Sequence, residues 1–343
     1  MIKVSAPGKV HLIGEHSVVY GEPAIISSIG LRCYATAVES DKIAVNDRRM
    51  NSGRFRPDEA MKFSAEMEKL WQLGARKNDF SALFRAMKSN GMNYKKAAVG
   101  KILNELGISA GAKLALSSDI PPHVGGMGSS AAFAIVLTKA IADLNGKKLS
   151  LERINDIAFG IERLQHGNPS GGDNTACCYG GLIWFQRQTN SNIITSMKNE
   201  VPYELENFAL VNAGKREKST GELIQHIRNL GAVYRDPRIK RLGAYAQEMR
   251  NALGIKDFKK IAKLMNEAQK TLYELGVSTP AIDKIAGAVR SIGGGAKLSG
   301  AGGGGIMLCY HENRDLLAKT IKKLGYAPIE TRLGVEGVRN EER

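Results

Sequence analysis

The stretch Pro121-Pro122-His123-Val124-Gly125-Gly126-Met127-Gly128-Ser129-Ser130-Ala131-Ala132 puts three glycines and two serines ahead of an apolar run. Glycine admits backbone angles that other residues avoid. Phe133, Val136, Leu137, Ala140, Ile141 and Leu144 then recur at helical spacing. A loop rich in free amides that feeds a helix N-terminus binds anions, and phosphate is the usual one. Ser129 and Ser130 add hydroxyls for phosphate oxygens or a magnesium ion. The plainer reading is a helix cap made by either serine. No Gly-Lys-Ser/Thr follows, so the Walker pattern is excluded.

Other side chains fit the same chemistry. Lys9 follows a Pro-Gly turn, where it is either an exposed lysine or a cation for a phosphate or a developing alkoxide. Glu15 and His16 lie together at the next break, as a surface turn or as polar contacts in a small-molecule pocket. Glu162 falls at the edge of a helical apolar stripe. A carboxylate there needs a partner or a metal, and Mg²⁺ takes one or two such ligands and leaves its other positions to phosphate and water. Asp173 ends the tight loop His166-Gly167-Asn168-Pro169-Ser170-Gly171-Gly172, as a turn or cap residue or as the group that orients a hydroxyl for phosphoryl transfer. Gly293 to Gly305 holds eight glycines in thirteen residues between apolar patterns, which points to backbone closely approaching a ligand or another loop.

The positioning elements follow from apolar period and from breakers. Strands are expected at Lys3–Ser5 and over Val10–Ile13, then at Val18–Tyr20, Ala24–Ile29, Arg32–Val38 and Leu114–Ser117. Helices are expected over Asp58–Leu73 and Phe80–Leu106, after the glycine loop, and from Ser150 to before Gly167. Ala176–Phe185 reads as strand, and the polar run Arg187–Asn199 as the boundary between two domains, 1–187 and 188–343. Beyond it come a strand at Phe208–Asn212 and helices at Leu223–Leu230, Asp236–Leu253, Asp257–Leu275 and Thr279–Ile292. Strands at Gly305–Tyr310 and Ile329–Leu333 flank a helix at Asn313–Leu324. Segregated strands and helices in each half give an α+β class.

Composition narrows the function. The 343 residues suffice for about two domains. The longest apolar run, near Ala131–Leu144, is too short and polar to cross a bilayer, and no secretory leader is visible. Cys33, Cys177, Cys178 and Cys309 form no CxxC pair and read as reduced core thiols of a cytoplasmic protein. The net charge is +15, of which +7 lies between Asp47 and Lys101. No nucleic-acid-binding motif accompanies it, so a solvated basic surface is the preferred reading and steering of an anionic substrate the next.

Together these stretches resemble the GHMP kinase superfamily, named for galacto-, homoserine, mevalonate and phosphomevalonate kinases, and within it the branch that acts on mevalonate. The motifs are Ala6-Pro7-Gly8-Lys9 through Gly14-Glu15-His16 to Gly21, the phosphate loop Pro122–Ala132, His166–Asn174 and Lys297–Gly305, in family order. Lys218-Ser219-Thr220 and Gly276-Val277-Ser278-Thr279-Pro280 add to them. The resemblance implies an N-terminal ATP-binding domain like ribosomal protein S5 domain 2, a ferredoxin-like C-terminal domain, and an active site between them. It implies ATP-dependent phosphorylation of the 5-hydroxyl of mevalonate. In that reading Asp173 is the base or orienting group, and Lys9 stabilises alkoxide and phosphate. Ser129 and Glu162 hold Mg²⁺, while Gly125, Gly126, Met127, Gly128, Ser129 and Ser130 cradle the ATP phosphates beside Gly302. Glu15, His16 and Thr220 join Lys9 and Asp173 as substrate contacts. Mevalonate and ATP are the expected partners, with a second copy of the chain as the candidate protein partner and no nucleic acid or membrane.

Two residues depart from the family pattern. Met127 stands where leucine is usual, and Gly172 replaces the aliphatic residue before the aspartate. The latter leaves other acceptors open: phosphomevalonate, homoserine or a sugar. A non-catalytic sensor on the same fold is disfavoured by the joint presence of Lys9, Ser129, Glu162 and Asp173. Residues 47–101 match no motif.

Overall fold

The computed structural model describes residues 1–47, 51–122, 124–188 and 192–342; His123 of the glycine loop and residues 189–191 of the polar run lie outside the described residues. The first half is built on one long antiparallel pair, β1 (Ile2–Ile13) and β2 (Pro23–Ser40), which runs in register from Ile2↔Ala37 to Ile13↔Ile25. β1 continues through Ala6-Pro7-Gly8, where a strand end was expected. The pairing slips between Pro7 and Gly8, and this irregularity absorbs the missing proline N–H. Val18–Tyr20, expected as strand, instead belong to a 3₁₀ turn (Ser17–Tyr20) closed by Gly21 at φ 88°.

The other edge of β2 is shared. A hairpin of β3 (Ile43–Asp47) and β4 (Gly53–Phe55) leads to helices α1 (Pro57–Lys77), α2 (Ser81–Lys88) and α3 (Asn93–Leu106). The single helix expected over Phe80–Leu106 thus breaks at residues 89–92, which include Gly91. β5 (Gly111–Ser118) pairs with the second half of β2 and takes β3 parallel on its outer side. α4 (Ser129–Leu144) is apolar on nearly every side, so it lies buried across β1 and β2. α5 (Leu151–His166) packs against it and is capped by the Ser150 hydroxyl, which accepts the Arg153 N–H. α6 (Gly172–Tyr179) occupies the start of the expected strand Ala176–Phe185; strand begins only after Gly180 and Gly181, as β6 (Leu182–Gln186). β6 pairs with the first residues of β2 and with β7 (Ile193–Ser196).

The second half contains β8 (Leu205–Asn212), α7 (Thr220–Asn229), α8 (Ala232–Gly254), α9 (Phe258–Glu274), α10 (Pro280–Ser291), β9 (Gly295–Leu298), β10 (Ile306–Tyr310), α11 (Arg314–Lys323) and β11 (Pro328–Leu333). Its strands order β11-β8-β10-β9, all antiparallel, which is the fourth-first-third-second order of a ferredoxin-like βαββαβ unit. The glycine-dense stretch is therefore a hairpin, with β9 inside it and its tip at residues 299–305.

The halves join where Leu333 of β11 pairs with Ile29, in the gap on β2 between β6 and β5. The chain then returns to the first half, where β12 (Arg339–Asn340) pairs with β1. Buried apolar side chains of both halves form one continuous core.

Candidate active site

Lys9 sits mid-strand on β1, and Asp173 in the first turn of α6, where a carboxylate complements the helix dipole. The structure brings them together: Lys9 Nζ lies 2.9 Å from Asp173 Oδ1, with the lysine side chain 4% exposed and the aspartate 40%. Desolvation pushes the Asp173 carboxyl up, but its neighbours, Lys9 foremost, together hold the pKa below the ordinary value. The glycine loop rests on this pair. The Lys9 N–H donates to the Met127 carbonyl at 2.9 Å, and a Cβ on Gly128 would stand 2.7 Å from Lys9 Cγ. Gly128 and Gly126 have φ of 67° and 100°, so glycine is required there both by conformation and by contact. The departure at Gly172 has a packing reason: a Cβ there would meet Ile26 Cδ1 at 2.6 Å.

Glu162 is buried on α5 beneath the loop. The serine brought onto it is Ser130, whose Oγ donates to Oε2 at 3.2 Å; Ser129, one residue earlier on α4, lines the same cavity as Ser130 without reaching Glu162. His166 Nε2 stands 3.2 Å from the same Ser130 hydroxyl. Glu162 Oε1 is buried with no hydrogen-bond partner among the described residues. Burial, then the Asp173 charge, push this carboxyl up to about 8. An orphaned carboxylate oxygen whose ionised form is disfavoured until a cation arrives, beside a serine hydroxyl, fits a magnesium ion that completes its ligands with phosphate and water.

Glu15 and His16 come close to the tip of the β9–β10 hairpin. Glu15 forms a fully buried ion pair with Lys297 of β9, whose ammonium also donates to the Leu298 carbonyl at 2.7 Å. Burial drives Glu15 up and Lys297 down, each partner's charge opposing it. Glu15 Oε2 keeps no hydrogen bond among the described residues. His16, at φ 62°, faces the Ala301 carbonyl with Nε2 at 2.8 Å, and burial pushes its pKa down to about 4. The hairpin tip that carries Gly302 meets the phosphate loop through Ser299 and Gly300. Gly302 itself packs on Val277, whose carbonyl would lie 2.3 Å from a Cβ there, and Gly126 abuts the Ser299 carbonyl. Thr220 is exposed at the start of α7 and hydrogen-bonds none of these side chains among the described residues.

Three features escaped the sequence reading. Lys297 carries no local signal beyond its motif, because its partner Glu15 is 282 residues away. Arg216 lies between the two glycine loops: Cβ atoms on Gly126 and Gly300 would come within 3.5 and 3.2 Å of its Nη2. Its Nε and Nη2 are buried and hydrogen-bond no protein group among the described residues, as an anion-binding guanidinium would. The only trace of it in sequence is the basic run Lys215–Lys218 after a strand. The third is a cavity of about 670 Å³ that opens from Gly125, Ser129 and Ser130 toward Phe84, Met87 and Tyr94. One apolar wall comes from α2 and α3, in the stretch without a motif, and the other from Leu116, Val124, Phe133 and Val136. Trp71 of α1, in the same stretch, donates to the Gly167 carbonyl at 2.6 Å and so braces the loop that leads to Asp173.

Comparison with known proteins identifies the family. The model of the GHMP kinases N terminal domain matches residues 93–181, and that of the GHMP kinases C terminal domain matches residues 246–327. A mevalonate kinase of Pyrococcus abyssi is 31% identical, with 100% of this chain and 98% of that protein covered. Among solved structures, the Methanococcus jannaschii mevalonate kinase aligns with a TM-score of 0.81 and 28% identity over 96% of this chain and 98% of that one. An L. major mevalonate kinase in complex with R-mevalonate aligns with a TM-score of 0.74 and 25% identity, over 98% and 96%.

Proposed function

The chain belongs to the GHMP kinase family, and from that premise we propose that it transfers the γ-phosphoryl group of ATP to the 5-hydroxyl of mevalonate. The observation that carries the reading is the Lys9–Asp173 pair, 2.9 Å apart directly beneath the glycine loop. The acceptor hydroxyl lies against Asp173, which orients it for in-line attack on the γ-phosphorus. Because Lys9 depresses its pKa, Asp173 is a weak base. It therefore takes the proton late, as bonding to phosphorus acidifies the hydroxyl. Lys9 neutralises the oxygen as it attacks and the phosphoryl oxygens as charge moves onto the β-phosphate. Arg216 adds a second fixed cation from the other half of the molecule.

The amides of residues 125–130 cradle the phosphates, and the cavity walled by Phe84, Met87 and Tyr94 takes the nucleoside; its volume suits a ligand of that size. Glu162 and Ser130, in place of Ser129, would hold Mg²⁺, which when bound neutralises the phosphates of the nucleotide. For mevalonate, the open Oε2 of Glu15 supports a hydroxyl contact, and His16 beside it supports a second; Thr220 keeps no supporting contact.

We divide the chain into an ATP-binding part, 1–187, and a C-terminal part, 188–343. Four buried thiols support a cytoplasmic setting. Exposed Val233 and Tyr273 on α8 and α9 support a homodimer, which light scattering would test. The reaction itself is tested by ADP release from Mg·ATP with mevalonate, phosphomevalonate, homoserine and galactose. Turnover with mevalonate alone is expected, lost by at least ~10³-fold in Asp173→Asn with nucleotide binding retained. Preference for another acceptor, or an active Asn variant, would overturn the reading.

A further inference from the structure

Resting on the roles proposed above for Lys9 and Asp173, we propose that His11 is a positioning residue for Lys9: its Nδ1 accepts one ammonium N–H while Asp173 accepts another, which commits the third to the reacting oxygens. Lys9 and His11 are two residues apart on β1 and so share one face of the strand. Lys9 Nζ lies 2.9 Å from Asp173 Oδ1 and 3.4 Å from His11 Nδ1. An ammonium has three donors and no acceptor, so the Nδ1 facing it must carry a lone pair and the ring proton must sit on Nε2. A charged imidazole would oppose Lys9 directly. Desolvation, then Lys9 and Lys297, push the His11 pKa down to about 3, although Asp173 pulls the other way. The ring is thus a neutral acceptor at any ordinary pH.

The rest of His11 is fixed by the partner half. Its N–H donates to Ser299 Oγ at 3.0 Å, and its carbonyl accepts from the same hydroxyl at 3.2 Å and from Lys297 Nζ at 3.5 Å. Nε2 hydrogen-bonds no protein group among the described residues. The lysine stem is flexible, and its free ammonium would otherwise pivot about Asp173 alone; about 1 Å of misplacement can cost on the order of 10²-fold in rate. A second acceptor removes that freedom without adding charge. It also ties the geometry of Lys9 to the hairpin tip through Ser299.

Asparagine and glutamine separate this role from mere space filling. Asn Oδ1 overlays Nδ1, Gln reaches only the Nε2 position, and Leu offers no acceptor. His11→Leu and His11→Gln are expected to lower kcat by about tenfold or more with the KM for Mg·ATP within about twofold, and His11→Asn to restore kcat to within about threefold. Equal losses in all three variants, or no loss in His11→Leu, would overturn the proposal. A readout free of turnover and of variant stability is the ¹⁵N spectrum of histidine-labelled wild-type enzyme, with His11 assigned as the signal missing from His11→Asn. A neutral ring protonated on Nε2 from about pH 6 to about 8 is expected. A proton on Nδ1, or a ring that titrates in this range, overturns it. Lys9→Met tells the two levels apart. If that variant turns over normally, the reading of the site itself is wrong; if it is inactive while His11→Leu is unaffected, only the role of His11 falls.

Discussion

At the scale of single residues the site is a set of buried charges held in less than full pairing. Lys9 has Asp173 and Glu15 has Lys297, but Glu162 has no lysine or arginine: Ser130 and His166 stand at its Oε2, and its Oε1 is unpartnered among the described residues. Its ionisation in the fold is disfavoured, with a pKa pushed up to about 8 from 4.5. Below about pH 4.5 the carboxyl is neutral in folded and unfolded chains alike, and no penalty arises. As pH rises from there through about 8, the unfolded chain releases the proton while the folded one retains it, so stability declines. Glu162→Gln has no such slope. The metal-free, nucleotide-free Gln variant should therefore be the more stable protein above about pH 5, by about 2–4 °C in Tm for each ~1 kcal/mol relieved. The same variant should need at least about tenfold more Mg²⁺ for turnover. Thermal melts across pH and a Mg²⁺ titration check both halves; a Gln variant that melts lower at pH 8 with an unchanged titration would make Glu162 a structural carboxylate.

At the scale of elements, the placement of the site depends on how closely backbone can pass backbone. Gly172 opens α6 against Ile26 and Phe185, so Gly172→Ala should cost about 1–3 kcal/mol and lower kcat through its neighbour Asp173. Ile26→Val deletes Cδ1, the atom in the way. The double variant should then recover most of the loss, and melts of the four proteins give the coupling directly; additive losses would show that the contact is not the cause. Much at this scale was legible in sequence. The glycine loop and the helix behind it carry local backbone requirements that only certain residue types meet, whereas the roles of Lys9 and Asp173 come from the family resemblance. The helices of the second half were legible from their apolar period, and its ferredoxin-like order only through the family resemblance. What misled was punctuation. Pro7-Gly8 reads as a stop but is a register slip inside β1, and Gly171-Gly172 reads as loop but starts a helix. Between elements little was legible. Arg216, Lys297 and the serine that meets Glu162 are defined by partners far along the chain or by which way a helix faces, and neither leaves a local pattern.

At the scale of the molecule, the halves are laced by the returning chain end. Arg32 on β2 is buried and donates from Nε to Ser5 Oγ at 2.7 Å, from Nη1 to the Glu336 carbonyl at 2.9 Å and from Nη2 to the Gly337 carbonyl at 2.6 Å. Methionine would leave these acceptors dry, so Arg32→Met should lose about 3–5 kcal/mol and release the last residues to proteolysis before the site itself changes. An unfolding midpoint equal to wild type would show the lacing to be dispensable. Within the basic stretch 47–101, α2 and α3 line the cavity beside Ser129 and Ser130, and Trp71 of α1 holds the loop to Asp173. The bond from Trp71 to the Gly167 carbonyl then has an optical consequence. The chain has two tryptophans, and Trp184 lies apart on β6. In a Trp184→Phe background, the emission of the remaining indole depends on whether its N–H still holds that carbonyl. Its wavelength during a single turnover would show whether the loop that leads to Asp173 moves, and when relative to ADP release, with no dye attached.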